Sequence, residues 1–434
     1  MSNFRNINIK RMIIWIIFVM FAFSTSSTFA YWWDGTVTGT NNNGLGTITV
    51  GEWTMPPEGI DGFSMTTDYH SGDLVWFNGD FWIYKGNYSY GQIPSVAHGW
   101  TYLNDLNWYS EIIYQSTEIV FYNGIVYQTS GYTDDDNPES GAPWVSMMNN
   151  QVQWTTGDST TTNQQVYHDG SIWVFRKYYT TSEPGTTNEW SLLGDLTFST
   201  NYVYANGDVT YYNGTYYTTN NGGWATGTTP GNPYGPWTAL TVPNWSNAIP
   251  NGTTYVNYNG GFYKALVTNM TTLRNNQPGT SSAFGVWTQL DTQLWQQYNT
   301  YSAGNLIMYN GDIFMLANAS YSTLVPGTAG NSWNYMNNMG YDPFNTYSVG
   351  DFVVINSIVY EVVNATNANN HAPGTYANAW NRLSGYDWYW FNNYVVGDIL
   401  YHEDGVYIAL AASTNVEPGT PGSDTYWGLY NENA

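Results

Sequence analysis

The chain has no cysteine among its 434 residues, so neither disulfides nor thiolate metal sites hold it together. Basic residues are nearly as scarce: nine Lys and Arg stand against 32 Asp and Glu, a formal net charge of −23. A nucleic-acid partner needs a basic stripe that neutralises phosphates, and this composition excludes most such roles, along with adhesion to anionic lipid. Charged residues of either sign make up only 9% of the chain. Asn, Thr, Ser, Gly and Tyr therefore form most of the polar surface, a composition suited to neutral sugars. Apolar runs of spanning length are missing as well: Met12 to Phe23 is twelve residues, short of the roughly 20 that cross a membrane. That run follows Arg5, Lys10 and Arg11 and leads to Thr28-Phe29-Ala30, the layout of a secretory signal cleaved before Tyr31. The expectation is a secreted or cell-surface protein with no membrane span. Removing residues 1–30 leaves six basic against 32 acidic residues, a net charge of −26.

Catalytic groups are sparse too. The histidines His70, His98, His168, His371 and His402 are scattered, without metal-ligand spacing such as H-E-x-x-H. Asp73, Asp208, Asp351 and Asp398 each follow a glycine just ahead of a strand, where an Asp side chain bonds nearby backbone N–H groups. A carboxylate repeated at one structural place is architecture before it is an active site. Asp134, Asp135, Asp136 and Glu139 offer oxygens of the kind Ca²⁺ takes, but without the spaced glycine and terminal glutamate of an EF-hand loop, and they read as a solvated acidic loop. No catalytic residue, metal or cofactor is assigned. A polysaccharide hydrolase, which needs two carboxylates at a defined separation, ranks behind the non-catalytic readings below.

What the chain has in abundance is a period. Trp100, Trp144, Trp190, Trp237, Trp287, Trp333, Trp380 and Trp427 recur at gaps of 44 to 50 residues, the mark of a repeat architecture. Ahead of each tryptophan lies a turn dipeptide, Asn78-Gly79, Asn123-Gly124, Asp169-Gly170, Asn213-Gly214, Asn259-Gly260, Asn310-Gly311 or Asp404-Gly405, the strongest short hairpin signal. Repeat seven has Asn356-Ser357, which predicts a looser turn. β-branched and aromatic residues flank these turns. Pro-Gly follows at Pro184, Pro230, Pro278, Pro326, Pro373 and Pro418. The unit is thus hairpin, polar loop, Pro-Gly turn, tryptophan strand.

The fold expected is all-β, a linear tandem array of eight small three-stranded modules; the alternative is an eight-bladed propeller, whose blades have four strands. The divisions are a signal at 1–30, an N-terminal β segment at 31–62, and repeats at 63–104, 105–148, 149–194, 195–241, 242–291, 292–338, 339–384 and 385–434. With aromatics at 18% of the chain, ring burial and docking of adjacent repeats take the place of disulfides. Only four residues separate Leu383 from Trp388, so the array is expected to be semi-rigid.

Aromatics also carry the functional signal. Trp82, Tyr127, Trp173, Tyr217, Tyr263 and Phe314, three beyond the hairpin glycine, read as module core with the closing tryptophans. Tyr88, Tyr90, Tyr132, Tyr178, Tyr179, Trp224 and Tyr321 lie in the polar loops and are candidates for stacking on sugar rings, with packing on the next repeat as the competing role.

The order seen in "YANGDVTYYNGTYY" with "PGNPYGPWTAL", "YSAGNLIMYNGDIF" with "PGTAGNSWNYM", and "YVVGDILYHEDGVYIAL" with "PGTPGSDTYWGLY" resembles the small carbohydrate-binding modules of families 5 and 12, found on chitinases, over residues 63–434. The resemblance implies a chitin-binding type of module whose ligand platform is an adjacent aromatic pair between second strand and proline. Tyr178 and Tyr179 in "RKYYTTSEPGT" keep that form, and Trp224 stands at a shifted place, whereas repeats five to eight read "ALVTN", "LANAS", "VVNAT" and "ALAAST" there. Ala30-Tyr31-Trp32 and "GTVTGTNNNGLGTITVGEW" are similar to exported proteins of the TasA and camelysin kind, which include fibre subunits. Two readings follow. In one the protein is a secreted, multivalent, non-catalytic binder of a polysaccharide or cell-surface glycan; in the other it is a filament or surface-layer subunit that self-assembles through residues 31–58 by strand addition.

Overall fold

A computed structural model describes residues 56–430 apart from 59, 142, 149–153, 155–159, 181, 221–224, 226, 319–322 and 404. The signal segment, most of the N-terminal β segment, Trp224 and Tyr321 lie outside the described residues. The protein is all-β, with one three-stranded antiparallel sheet per repeat, in chain order. The strands are Leu74–Phe77, Asp80–Tyr84 and Trp100–Tyr102 in repeat one, and Ile119–Tyr122, Ile125–Thr129 and Trp144–Ser146 in repeat two. Repeat three has Gln165–His168, Ser171–Phe175 and Trp190–Leu192; repeat four has Val209–Tyr212, Thr215–Thr219 and Trp237–Ala239. They are followed by Tyr255–Tyr258, Gly261–Ala265 and Trp287–Gln289, then by Leu306–Tyr309, Asp312–Leu316 and Trp333–Tyr335. The last two sheets are Phe352–Ile355, Ile358–Val362 and Trp380–Arg382, and Ile399–His402, Gly405–Ala409 and Trp427–Leu429. Among the described residues these sheets close into neither a barrel nor a propeller.

Asn78, Asn123, Asp169, Asn213, Asn259 and Asn310 have φ of 47° to 53°, and the glycines after them φ of 75° to 91°. Positive φ at both turn residues is what a two-residue type I′ hairpin demands. Repeat seven corrects the expectation of a looser turn: Asn356 and Ser357 adopt φ of 51° and 64°, so the flanking strands impose the geometry even on serine. In repeat eight His402 pairs with Gly405, so Gly405 belongs to the sheet and not to the turn that Asp404-Gly405 predicts from sequence. Gly405 is the first residue of the second strand.

Among the described residues, seven of the eight sheets also gain a short parallel pairing on the outer edge, ahead of the hairpin. Gly62 bridges Trp76, Asn107 bridges Phe121, and the same bridge recurs at 197–211, 244–257, 294–308, 340–354 and 387–401. It seats a second periodic aromatic: Phe63, Trp108, Trp154, Phe198, Trp245, Trp295, Tyr341 or Trp388. In seven repeats this ring meets the last residue of the first strand edge-on, as in Trp108–Tyr122 (5.2 Å between centroids, 75°) and Trp295–Tyr309 (5.4 Å, 79°), the geometry aromatic quadrupoles favour.

All eight closing tryptophans are buried, and their polar edge locks the loop. The indole N–H of Trp144, Trp190, Trp237, Trp287, Trp380 and Trp427 donates to the carbonyl two residues before the proline, that of Asp136, Ser182, Thr228, Asn276, His371 and Val416, at 2.6–3.0 Å. Pro138 thus plays in repeat two the part that Pro-Gly plays elsewhere. Of the six residues three beyond the hairpin glycine, Tyr127 and Phe314 are buried, whereas Trp82, Trp173, Tyr217 and Tyr263 are half-buried.

The other face of every sheet is apolar as well, and it decides how the row is arranged. In repeat one Val75, Tyr84 and Trp100 face the module's own loop, while Leu74, Trp76 and Phe81 pack on Val406 of repeat eight together with Tyr386, Ile399 and Tyr401. Val126 and Met148 of repeat two pack on Met339, Phe352 and Val359 of repeat seven. Ile172 of repeat three packs on Leu306, Ile313 and Met315 of repeat six, and Tyr216 of repeat four stacks on Phe262 of repeat five at 4.3 Å. The array therefore doubles back between repeats four and five, and its two arms of four modules meet face to face along an apolar seam. Hydrogen bonds cross it: Leu306 N–H donates to the side-chain Oε1 of Gln165 at 2.9 Å and Gly385 N–H to the Asn104 carbonyl at 3.2 Å. At the end of the seam Val406 N–H donates to the Glu58 carbonyl at 3.2 Å. Glu58, at the described end of the N-terminal segment, thus bridges Gly405 of repeat eight in the same chain.

Neighbours in the second arm are joined by buried asparagines that pair as a backbone would. Asn345 Oδ1 accepts from Tyr335 N–H and its Nδ2 donates to the Tyr335 carbonyl, at 2.6 and 3.3 Å. Asn392 does the same with Arg382 at 2.8 and 3.0 Å, and Asn299 with Gln289 at 2.6 and 3.2 Å.

Ile313 is fully buried in the seam, and its replacement by Ala is expected to cost about 2–5 kcal/mol. Because the contact is shared, amide exchange should quicken in repeat three as well as in repeat six. A response confined to repeat six would show that the arms do not pack as described.

Candidate functional site on the outer loops

With the seam on one face, the loop between second strand and proline covers the other. It takes two forms. In repeats one, two, three and eight it runs back along the segment ahead of the hairpin: Tyr88–Tyr90 pairs with Asp68–His70, Thr133 bridges Tyr114, Tyr179–Thr180 pairs with Thr160–Thr161, and Ser413–Thr414 pairs with Asn393–Tyr394. The inward residue is a small hydroxyl each time, Ser89, Thr133, Thr180 or Ser413, and all four are buried. In repeats five and seven the loop instead forms a short helix, Met270–Asn275 or Ala365–Ala368, whose Leu273 or Ala368 is buried. The Asn269 and Asn364 side chains accept from Thr272 N–H and Asn367 N–H at 3.0 and 3.2 Å, the preferred N-cap arrangement. The departures "ALVTN" and "VVNAT" are therefore helix starts, and the helix occupies the place an aromatic platform would take.

The register brings three of the candidate residues to one position. Tyr88, Tyr132 and Tyr179 each immediately precede the buried hydroxyl residue, where repeat eight has Ala412. Tyr88, Tyr90, Tyr132 and Tyr178 are exposed at 56%, 55%, 59% and 73%, so none serves as packing against the next repeat. In repeat one, alternation along the strand puts Tyr88 and Tyr90 on the same side, with Ser89 inward. Tyr88 Oη donates to Asp68 Oδ1 at 2.9 Å; that bond to a carboxylate, with some burial, holds the phenol above its ordinary pKa. The His70 ring stands against Tyr88 at 5.8 Å. The result is a ring face fixed on a strand, with a carboxylate and an imidazole beside it. Such a surface stacks on the C–H face of a sugar while neighbouring groups take its hydroxyls.

The most exposed aromatic among the described residues escaped the sequence reading. Tyr234, in the Pro-Gly loop of repeat four, is 97% exposed. Its signal is the flanking pair Pro233 and Pro236, which stiffens the loop that presents it.

The carboxylates serve local structure. Asp73, Asp208, Asp351 and Asp398 accept from the backbone N–H three residues earlier, that of His70, Ala205, Ser348 and Val395, at 2.7–2.8 Å. Glu118, Gln164 and Asn305 make the same bond at 2.6, 3.1 and 2.8 Å, so the position needs an acceptor and not a charge. In the acidic loop Asp136 accepts from Thr133 Oγ1 at 2.9 Å and Glu139 from Asn123 Nδ2 at 3.0 Å. Among the described residues no three metal-ligating side chains come together. His168 meets Glu183 at 2.9 Å and His402 meets Glu417 at 3.0 Å; these equivalent pairs tie the hairpin end to the residue before the proline. No helix among the described residues is long and apolar enough to cross a membrane.

Burial raises the pKa of Asp351, Asp398 and Glu361 above the usual carboxylate values. The folded chain thus holds these protons more tightly than the unfolded chain. Their contribution to stability is complete below the ordinary carboxylate pKa and is lost as the pH rises through the raised values. The thermal midpoint is expected to be higher near pH 4 than at pH 7.5, and substitution of Asp351 and Asp398 by Asn, the acceptor class already used at Asn305, should flatten the profile. A midpoint that falls on mild acidification would contradict this. No family model matches the chain, and no curated protein matches it.

Proposed function

We propose that this chain is an extracellular, non-catalytic, multivalent carbohydrate-binding protein whose ligand is a polysaccharide or cell-surface glycan. The observation that carries the reading is the recurrence of Tyr88, Tyr132 and Tyr179 at one register position of three consecutive loops, with Tyr90 and Tyr178 exposed beside them. A fold has no packing reason to keep the solvent-facing rings of Tyr88 and Tyr132 at equivalent places, while a repeating polymer gives one. The excess of acidic over basic residues disfavours an anionic polymer and leaves a neutral one. Individual stacking sites are weak, but tethering them on one rigid arm raises avidity by roughly 10²–10⁴ without any new contact. The arm is preorganised because its modules are held by the seam, so little entropy is lost when several sites engage together.

The test uses the whole mature chain, since either arm alone would leave the seam uncovered. Binding to insoluble chitin and to peptidoglycan is compared for the wild type, for Tyr88→Ala alone, and for the combined Tyr88→Ala, Tyr132→Ala, Tyr178→Ala and Tyr179→Ala variant. The single change is expected to weaken binding modestly and the combined change by at least roughly tenfold, as loss of multivalency requires, with thermal melting showing that the fold persists. Unchanged binding by the combined variant would sink the proposal.

A further inference from the structure

At the half-buried position where five of its siblings carry tryptophan, repeat four has a smaller ring, and a cleft lies over it. Phe198 stands where repeats two, three, five, six and eight carry Trp108, Trp154, Trp245, Trp295 and Trp388. Its smaller ring still packs within the module, stacked on Tyr204 at 5.7 Å and edge-on to Trp237 at 5.8 Å, and it meets Tyr212 at 5.5 Å and 75°. Above Phe198 and Tyr212 lies a cleft of ≈470 Å³ between repeats three and four. Its rim is built from both modules: Asn188 comes from the Pro-Gly loop of repeat three, Asp195 and Thr200 from the segment entering repeat four, and Thr229 from that repeat's own Pro-Gly loop. Asp195 is held in place by accepting from Thr197 N–H at 2.8 Å. The shared wall is rigid, because Tyr202 Oη donates across the module boundary to the Trp190 carbonyl at 2.9 Å. The loop that supplies Thr229 also presents Tyr234.

We propose that this cleft is a binding subsite for a neutral oligosaccharide, about two pyranose rings by its size, distinct from the loop tyrosines. The inference rests on the carbohydrate-binding reading and names a place for it. An aromatic floor with amide, hydroxyl and carboxylate groups around it meets the two faces of a sugar: C–H groups below and hydroxyls at the edge. No basic side chain lines the cleft, so an anionic ligand has no counter-charge there. Five other modules carry the larger indole at this position, and repeats one and seven carry Phe63 and Tyr341.

The repeats themselves supply the decisive variant. Phe198→Trp restores the side chain that five sibling modules accommodate, so it should fill the floor while the fold persists, which thermal melting monitors. Asn188→Ala with Thr200→Ala strips two exposed rim groups independently. Calorimetric titration with chitotetraose and with cellotetraose is expected to show a soluble-sugar site in the wild type that weakens at least tenfold in both cleft variants and persists in the combined loop-tyrosine variant. Binding that is unchanged in both cleft variants and lost with the loop tyrosines overturns the cleft while leaving the carbohydrate reading intact. Failure of the wild type to bind either tetrasaccharide overturns the cleft even if insoluble polysaccharide is retained; failure on the insoluble polymers as well removes both.

Discussion

Every sheet in this protein is apolar on both faces, and three strands of three to five residues cannot bury two faces alone. One face is covered by the module's own loop and tryptophan. The other requires a second sheet, which the chain finds in the module counted from its opposite end. A chain without disulfides and with small modules reaches a stable core by this sharing, since the seam raises the fraction of surface that each unit removes from water. The functional consequence is directional. Because the inner faces are spent on each other, only the loops look outward, and anything the protein binds must be met there or in the clefts between modules.

The loops are in turn governed by a single recurring bond. Indole N–H to loop carbonyl, two residues before a proline, fixes the loop's far end in six repeats. Repeat one lacks the Pro-Gly turn, and Trp100 Nε1 is buried there without a hydrogen-bond partner. With that end fixed, the near end of the loop is free to vary between a strand form and a helix form. Sequence change at a few positions therefore converts a displayed tyrosine into a buried Leu273 or Ala368 without disturbing the sheet. A scaffold of this kind separates what must be constant from what can be specialised module by module.

Much of the architecture is legible in the sequence because it rests on local chemistry. Turn dipeptides require positive φ, prolines punctuate, and the tryptophan period counts the modules. The second aromatic series from Phe63 to Trp388 has the same period and was equally available, but its reason, an edge-on contact with the end of the first strand, depends on a parallel bridge that no local signal announces. The doubling back is less legible still. Strands such as Leu74–Phe77 and Leu306–Tyr309 read as continuous apolar runs rather than as alternating ones, which says that both faces are buried and not by what. Nothing local pairs Ile172 with Ile313. Likewise, the exposure of Tyr88 and Tyr132 could be guessed from their loops, whereas their equivalence with Tyr179 follows only from register, and the cleft over Phe198 only from the packing of repeat three against repeat four.

The pairing of first module with last sets the order in which the molecule can assemble. Asn104 bonds Gly385 across 281 residues of chain, whereas Tyr216 and Phe262 are near neighbours. Closing short loops costs less entropy than closing long ones, so the seam is cheapest to start at repeats four and five and then extends outward like a zip, each new pair bringing the next within reach. During synthesis the first four modules emerge with their inner faces bare and must wait for the later ones to be made. The N-terminal arm is thus the aggregation-exposed half of the nascent chain, and the last module to appear, with Val406 and its bond to Glu58, is the one that completes the closure.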